Sequence, residues 1–540
     1  MSRLGRLWRT LRWLKAGQIV GRLRFRLARP RPDLRPPPPL RAAAGSWITP
    51  PAREASLLGP TRMRFLGEEH DLDDVGWDDA SLPLLWRYNQ HYFDDLNAID
   101  AGSRRAWQRE LIERWLADNP PGRGTAWAPY PTSLRIVNAV KCHLGGQAAA
   151  PAWLHSLAIQ ARWLTQRLEW HLLGNHLFVN AKALVFAGLL FDGAEAEGWL
   201  AEGLRILERE LQEQILADGA QFERSPMYHA LALEDVLDLV NLIEARAPRA
   251  SPAQPMLPRL RDRAQAMLTW LRCMRHPGGA LARFNDGAEG IAPATDAILR
   301  YAADLGVAAG DGPGEGVHAL QPSGYVRVER GPAIAFLDLA PIGPDYLPGH
   351  AHADTLSFEL SVRGREVVVN RGTSVYGTGA RRQVERGTAA HSTVQIGAHD
   401  SSEVWAGFRV GRRARPGPVR VEGWRIDGSH DGYAHLRGGP IHHRRWTFDA
   451  DALVVEDRIE PPAHESAIAR FHLAPGLSLT RAGAAWRIGA ADAEIARIEV
   501  LTGTAETSTT LHAMRFGVLA PAATLSVRLD AGRCAVRIHW

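Results

Sequence analysis

The residues best equipped for chemistry cluster in Gly349-His350-Ala351-His352-Ala353-Asp354, just ahead of the alternating run Ser357-Phe358-Glu359-Leu360-Ser361-Val362. In an extended chain, positions i, i+2 and i+4 share one face, so the spacing predicts that His350, His352 and Asp354 point the same way. Two imidazoles and a carboxylate in one place could hold a metal, move a proton, or both. Val369-Asn370-Arg371-Gly372 and Ala390-His391-Ser392-Thr393-Val394 follow. Histidines from separate strands with an Asn or Asp oxygen are compatible with tetrahedral zinc. His442-His443 makes a poorer ligand pair, because neighbours on a strand face opposite sides.

Three further clusters lie upstream. Leu173-Gly174-Asn175-His176-Leu177 falls between two helical patterns, where Gly174 allows a turn and Asn175 is a plausible N-cap. Glu223-Arg224-Ser225-Pro226-Met227-Tyr228-His229 places a tyrosine and a histidine at a helix start. Phe284-Asn285-Asp286-Gly287-Ala288-Glu289-Gly290 carries two carboxylates three apart. Asp286 and Glu289 could act as a glycosidase pair, although Asn-Asp-Gly is also an ordinary turn, and the turn or a supporting role is the favoured reading.

These clusters need elements to position them. Helical periodicity predicts helices over Arg105–Asp118, Thr132–His143, Pro151–His171, Asn175–Phe191, Ala194–Gln214, His229–Ala245 and Met256–Arg275. Paired helices of similar length suggest an array curving into a toroid. Tryptophans are frequent in this half; core packing accounts for most, and a few at the toroid mouth could stack on sugar rings. After a glycine-rich boundary at 306–316 the period changes to that of short strands, beginning at Tyr325-Val326-Arg327-Val328 and ending near Leu525–Leu529. The predicted division is an N-terminal segment with a proline-rich connector over 1–40, a helical domain over 41–310 and an antiparallel β-sandwich over 317–540.

Composition bounds the rest. At 540 residues the chain requires two or three domains, and 45% hydrophobic with 23% charged residues is the balance of a globular protein. Nearly all positive charge is arginine, the lysines being Lys15, Lys141 and Lys182, and the guanidinium fork suits carboxylates and sulfates. Cys142, Cys273 and Cys534 are far apart, which argues against cysteine-ligated zinc and a disulfide scaffold. No apolar run is long enough to span a membrane, and no secretory h-region is visible near the start. Leu4, Leu7, Trp8, Leu11 and Leu14 recur at helical spacing between Arg3, Arg6, Arg9 and Arg12. Such a basic amphipathic helix either docks on its own protein or makes peripheral contact with an anionic membrane, here through residues 3–27.

The ordered set of Gly174-Asn175-His176-Leu177, Ser225-Pro226-Met227-Tyr228-His229, Gly349-His350-Ala351-His352-Ala353-Asp354, Asn370-Arg371-Gly372-Thr373 and Ala389-Ala390-His391-Ser392-Thr393 resembles the heparinase II/III-like polysaccharide lyases and the oligoalginate lyases of the same architecture. The resemblance covers about residues 85–540 and implies an incomplete (α/α) toroid followed by an antiparallel β-sandwich. It implies β-elimination at a uronic acid within an acidic polysaccharide: loss of the C5 proton, cleavage of the 4-O bond and a 4,5-unsaturated product. By resemblance, Asn175 and His176 neutralise the uronate, Tyr228 supplies an acid, and His350 is a second proton-transfer group. Arg224, His229, Asn89 and Tyr130 are the substrate-binding candidates. His352, Asn370 and His391 match a structural zinc site, with Asn370 where many relatives carry Asp; an amide adds no charge and binds zinc more weakly. Asp354 is expected to orient one of the histidines. No organic cofactor and no nucleic-acid partner is expected. The family points to the cell envelope or periplasm, with a cytoplasmic or membrane-peripheral place as the alternative, and a non-catalytic glycan-binding or exopolysaccharide-biosynthesis accessory role is the alternative function.

Overall fold

The structure, a computed structural model, describes residues 3–490 and 493–540. Its helical part contains α1 (Arg3–Leu11), α2 (Ala16–Leu27), α3 (Leu72–Val75), α4 (Leu84–Gln90), α5 (Arg105–Asp118), α6 (Pro129–Leu144), α7 (Pro151–Gln166), α8 (Gly174–Leu190), α9 (Ala194–Gln214), α10 (Pro226–Arg246), α11 (Leu257–Cys273) and α12 (Thr295–Asp304). A hairpin of Arg62–Phe65 with Glu68–Asp71, absent from the sequence reading, precedes α3. The helix predicted over Pro151–His171 stops at Gln166, and residues 167–173 form the turn into α8.

Why an arc forms follows from the burial of each helix. From Leu177 to Leu190, α8 is buried on every side, so it is a central helix with neighbours all round. It packs on α6, α7, α9 and α10, while α11 backs α10. Short connections reverse the chain at each step, so α6, α8 and α10 form an inner row running the same way, with α7, α9 and α11 outside. The inner row is pinned by charge. Lys141 of α6 and Lys182 of α8 each lie 2.5 Å from the carboxylate of Asp238 on α10. These two cations hold the Asp238 carboxyl below its usual range against the opposing effect of burial. The third lysine, Lys15, is likewise spent on a structural contact, an ion pair with Glu213.

Beyond Gly316 the described strands pair with one another antiparallel, in sheets of five, four and eight strands besides a two-stranded ribbon. One apolar core fills the space between the three larger sheets, with Leu337 and Phe358 from the first, Phe471 and Leu525 from the second, and Trp446 and Val536 from the third. The five-stranded sheet, Gly316–Leu320 to Arg365–Val368, faces the helical part. There Trp270, Phe284, Tyr325 and Phe336 form a separate apolar cluster drawn from both parts. Buried polar contacts cross the same junction: His276 lies 2.8 Å from Glu359, and Ser323 Oγ donates to Asp218 at 2.7 Å. The two parts are therefore fixed against each other by packing and hydrogen bonds.

Helices α8 and α9 meet where side chains are absent. A Cβ at Gly203 would lie 2.8 Å from both the Ala181 carbonyl oxygen and Val185 Cγ2. Gly203→Val is expected to lower the unfolding free energy by about 1–3 kcal/mol, the usual cost of overpacking, measured as a lower midpoint in urea with an unchanged slope.

Candidate active site

The N-terminal ends of the three inner helices carry the candidate residues. Tyr130 is in the first turn of α6, Asn175 and His176 in the first turn of α8, and Tyr228 in the first turn of α10. Since the three helices run the same way, their positive dipole ends face one region, which favours an anion there. Positive-φ backbone at non-glycine residues leads into α8 at Leu173 (φ 63°) and into α10 at Arg224 (φ 59°), and recurs at Asn285 (φ 59°), just before Asp286. Such conformations cost of order 1–3 kcal/mol each and persist where the surroundings enforce them.

Asn175 is not the cap of α8. Leu173 occupies that position and Gly174 begins the helix, leaving the half-buried Asn175 one residue further in, without a side-chain hydrogen bond to the described residues. Gly174 has φ +55°, and a Cβ on it would collide with Leu347, so glycine lets the loop that carries His350 close onto the helix end. His176 Nδ1 lies 3.1 Å from Glu169 Oε1, and its ring is 4.5 Å from that of Tyr130. Burial alone would lower the His176 pKa, but the Glu169 charge and hydrogen bond outweigh it and the pKa is raised, which favours an imidazolium.

The opposite wall comes from the β part. Residues 350–354 are not a strand; the chain turns there, and regular pairing begins at Phe358. His350 and His352 nevertheless converge, because both bind one carboxylate that the spacing argument left out. His350 Nδ1 lies 2.9 Å from Asp286 Oδ2, and His352 Nε2 lies 2.8 Å from Asp286 Oδ1. Arg382 grips both oxygens, donating from Nη2 at 2.7 Å and from Nη1 to Oδ1, and Thr373 Oγ1 adds a 3.2 Å bond. Despite complete burial, these partners hold the Asp286 carboxyl well below the usual range. Asp354 does not orient a histidine: its Oδ2 accepts the backbone N–H of Asn285 at 3.0 Å and so fixes the turn that presents Asp286.

Tyr228 completes the group. Its ring stacks on that of His350 with centroids 3.8 Å apart, and its hydroxyl lies 2.9 Å from that of Tyr376. Burial, then the neighbouring Tyr376 and Asp286, raise the Tyr228 pKa far above that of a free phenol, so it keeps its proton at neutral pH. The buried Glu223 approaches the other side of His350, with Oε2 3.4 Å from Nε2. Tyr376, Arg382 and Glu169 are site residues that sequence reasoning missed. Tyr376 lies just beyond the Asn370-Arg371-Gly372-Thr373 motif, and Arg382 sits on a seven-residue helix, α13 (Ala380–Arg386), inside a long connection with no periodic signal.

Several expected roles do not hold. His229 is a core histidine, fully buried, with Nδ1 accepting from Gln221 N (3.1 Å), Nε2 on the Met267 carbonyl (2.9 Å) and its ring against Trp270. Arg224 turns its guanidinium to the Ser323 carbonyl (2.9 Å), a tie between the two parts rather than a substrate contact. Asn89 donates to the Leu85 carbonyl of its own helix (2.7 Å) and lines a small cavity with Phe65 and Leu111. The glycosidase pair also fails: both Asp286 oxygens are spent on cations and hydrogen bonds, and Glu289 is paired with Arg283 at 2.7 Å.

The expected zinc ligands do come together. The rings of His352 and His391 are 5.2 Å apart, and His391 Nδ1 lies 3.2 Å from Asn370 Oδ1. His352 Nδ1, His391 Nε2 and Asn370 Nδ2 are buried without hydrogen-bond partners. Burial lowers the His352 pKa to about 4 and holds the His391 pKa well below the usual imidazole range, keeping both rings neutral and able to donate lone pairs. Among the described residues no three His, Cys, Asp or Glu side chains form a ligand set, and the Asn370 amide oxygen faces His391 Nδ1 and the Ser392 N–H. The donors fit a metal of the zinc type through two imidazoles.

Asp286→Ala leaves the buried Arg382 unpaired. It is expected to cost about 3–5 kcal/mol of stability, read as a lower denaturant midpoint.

Two family models match the chain, heparinase II/III N-terminus over residues 98–303 and heparinase II/III-like, C-terminal, over residues 312–540. FtsZ-localized protein C of Caulobacter vibrioides is 29% identical over 518 residues, covering 87% of this chain and 84% of that protein. Heparin-sulfate lyase of Pedobacter heparinus is 25% identical over 327 residues, 54% of this chain, and the chain spans about half (48%) of that enzyme's length. Among solved structures, heparinase III superposes with a TM-score of 0.66 at 18% identity, over 84% of this chain and 76% of that one. A heparan sulfate lyase HepC mutant from Pedobacter heparinus gives 0.59 at 19% identity, over 89% and 81%. These likenesses carry the toroid-plus-sandwich fold, and with the two matched models they show that the chain belongs to the heparinase II/III-like family of polysaccharide lyases.

Proposed function

We propose that the protein cleaves a uronic-acid-containing polysaccharide by β-elimination. The observation that carries this reading is the stacking of Tyr228 on His350 beside three inner-helix N-termini that hold Asn175 and His176. A C5–H is acidic enough to remove only if the uronate charge is neutralised and the developing enolate is stabilised. Asn175 and a cationic His176 supply neutralisation, aided by the helix ends. His350, held between Asp286 at Nδ1 and Glu223 at Nε2, is the second proton-transfer group, with the carboxylates on either side stabilising the imidazolium that forms when it takes the C5 proton. Tyr228 retains its proton at neutral pH and serves as the acid for the leaving 4-oxygen, with the Tyr376 hydroxyl placed to pass a proton on. Water takes no part in bond cleavage, which separates the reaction from hydrolysis.

The metal reading rests on the orphaned nitrogens. We assign His352 Nδ1 and His391 Nε2, with Asn370 beside them, to a bound zinc-type ion. When bound it would supply two coordinate bonds to the imidazoles and so brace the loop carrying His350 against the strands beyond it. Protein purified without chelator is expected to contain close to one equivalent of zinc by elemental analysis, and His391→Ala close to none.

Turnover is tested by ultraviolet absorbance of the unsaturated product on heparan sulfate, alginate, hyaluronan and bacterial exopolysaccharides. A signal from one of them is expected, and Tyr228→Phe should lower kcat about 10²–10⁴-fold with an unchanged melting temperature. The accessory reading is favoured by one fact: the relative matching along most of its length carries a name that mentions no lyase activity. Saturable polymer binding without any absorbance or change in polymer length would support it against the lyase. We place either activity in the cell envelope, where acidic polysaccharides are made and met.

A further inference from the structure

Helices α1 and α2 dock on the rest of the molecule through one face only. Arg9 pairs with Glu403 (2.9 and 3.0 Å), Trp405 Nε1 donates to Thr10 Oγ1 (3.1 Å), and the Arg6 guanidinium lies over the Trp405 ring (4.9 Å). On the helical side, Phe25 is sandwiched between His171 (4.3 Å) and the Arg167 guanidinium (3.5 Å). Between them, Lys15 sits over the Tyr346 ring (3.7 Å) and Gln18 Nε2 donates to the Tyr346 carbonyl (3.3 Å). The segment thus straddles both parts of the molecule, held at a residue four positions before His350.

The outward face is apolar. Leu4, Trp8 and Leu11 recur along α1, and Val20, Leu23 and Leu27 along α2, each set at the spacing of one helix face. Their exposures run from 50% to 78%, and Ile19 joins them at 52%. Seven of the eighteen large hydrophobic residues exposed among the described residues thus lie in this short segment, which marks a patch rather than scatter. Around it stand the exposed Arg12, Arg22, Arg24, Arg26, Arg29 and Arg31. Residues 1–32 hold nine arginines and one lysine and no Asp or Glu, a charge of +10, whereas the whole chain carries only +5, so the remaining residues sum to −5.

We infer that this face binds the surface of an anionic phospholipid bilayer, with α1 and α2 lying in the interface plane. An apolar stripe flanked by cations suits acyl chains below and anionic headgroups beside it. Pairing two copies through the same face would set arginines against arginines, a repulsion that anionic lipid replaces by attraction. No helix among the described residues is long and apolar enough to cross a membrane, so the contact is peripheral. The cleft loop, anchored to the same segment through Tyr346, is thereby held close to the bilayer.

The test is flotation of the full-length protein with vesicles. It should float with vesicles containing phosphatidylglycerol, stay behind with pure phosphatidylcholine, and lose binding as salt rises. Trp8→Glu with Leu23→Glu should reduce the floated fraction at least tenfold while the melting temperature holds, because both side chains are exposed. Should that pair fail to fold, Leu4→Ser with Leu27→Ser, the two most exposed positions, takes its place with a severalfold loss expected. The inference is overturned if wild-type protein ignores anionic vesicles, if the folded variants float as well as wild type, or if light scattering shows a dimer that the same substitutions dissolve without any vesicle binding.

Discussion

The site depends on one buried carboxylate. Asp286 belongs to the loop that ends the helical part, yet its oxygens are held by His350, His352, Thr373 and Arg382 of the β part. Its backbone is equally committed: its N–H donates to the His350 carbonyl (3.0 Å), and its carbonyl accepts from Ser225 Oγ (2.5 Å), the cap of the helix that carries Tyr228. One residue therefore sets the distance between Tyr228 and His350 and the orientation of the ring that faces the proposed metal site. A charged anchor is costly to bury, and it is stable here only because a guanidinium and two imidazoles share the same small space. The cost brings geometric definition to groups that come from three separate stretches of chain.

Around that anchor the molecule separates charge by position. The inner row of the toroid is tied internally by Lys141, Lys182 and Asp238 and presents helix N-termini to the cleft. Arginines that composition suggested for substrate binding are instead largely structural: Arg382 neutralises Asp286, Arg444 neutralises the buried Asp457 (2.7 and 2.8 Å), and Arg135 spans four backbone and side-chain acceptors deep in the helical part. The positive character left at the cleft comes from His176 and the oriented backbone dipoles of the helix ends. The N-terminal segment concentrates positive charge of its own, with nine arginines and one lysine and no Asp or Glu over residues 1–32.

Sequence periodicity was a good guide wherever one face or all faces of an element are buried. Ala194–Gln214 and Arg105–Asp118 match their predicted helices, and the change of period after Gly316 matches the onset of sheets, because burial imposes its repeat on residue type. It was a poor guide to side-chain destinations. His229 reads like a site residue next to Tyr228, but successive residues on a helix point about 100° apart, and that rotation takes it into the core against Trp270.

The motifs by themselves determined which residue types come to the cleft: Asn175, His176, Tyr228 and His350 stand in an order and spacing that named the family. Tertiary structure alone decided how they meet. The alternation argument for His350, His352 and Asp354 assumed an extended strand, whereas the chain turns there, and the two rings converge because a carboxylate 64 residues upstream captures both. Tyr376, Glu169 and Arg382 could not be read from spacing, since their partners lie 7 to 148 residues away and proximity across that separation is set by packing, not by period. The same holds at the N-terminus: the sequence offered an amphipathic basic helix with two possible fates, and the fold resolved them by docking one face and leaving the other bare.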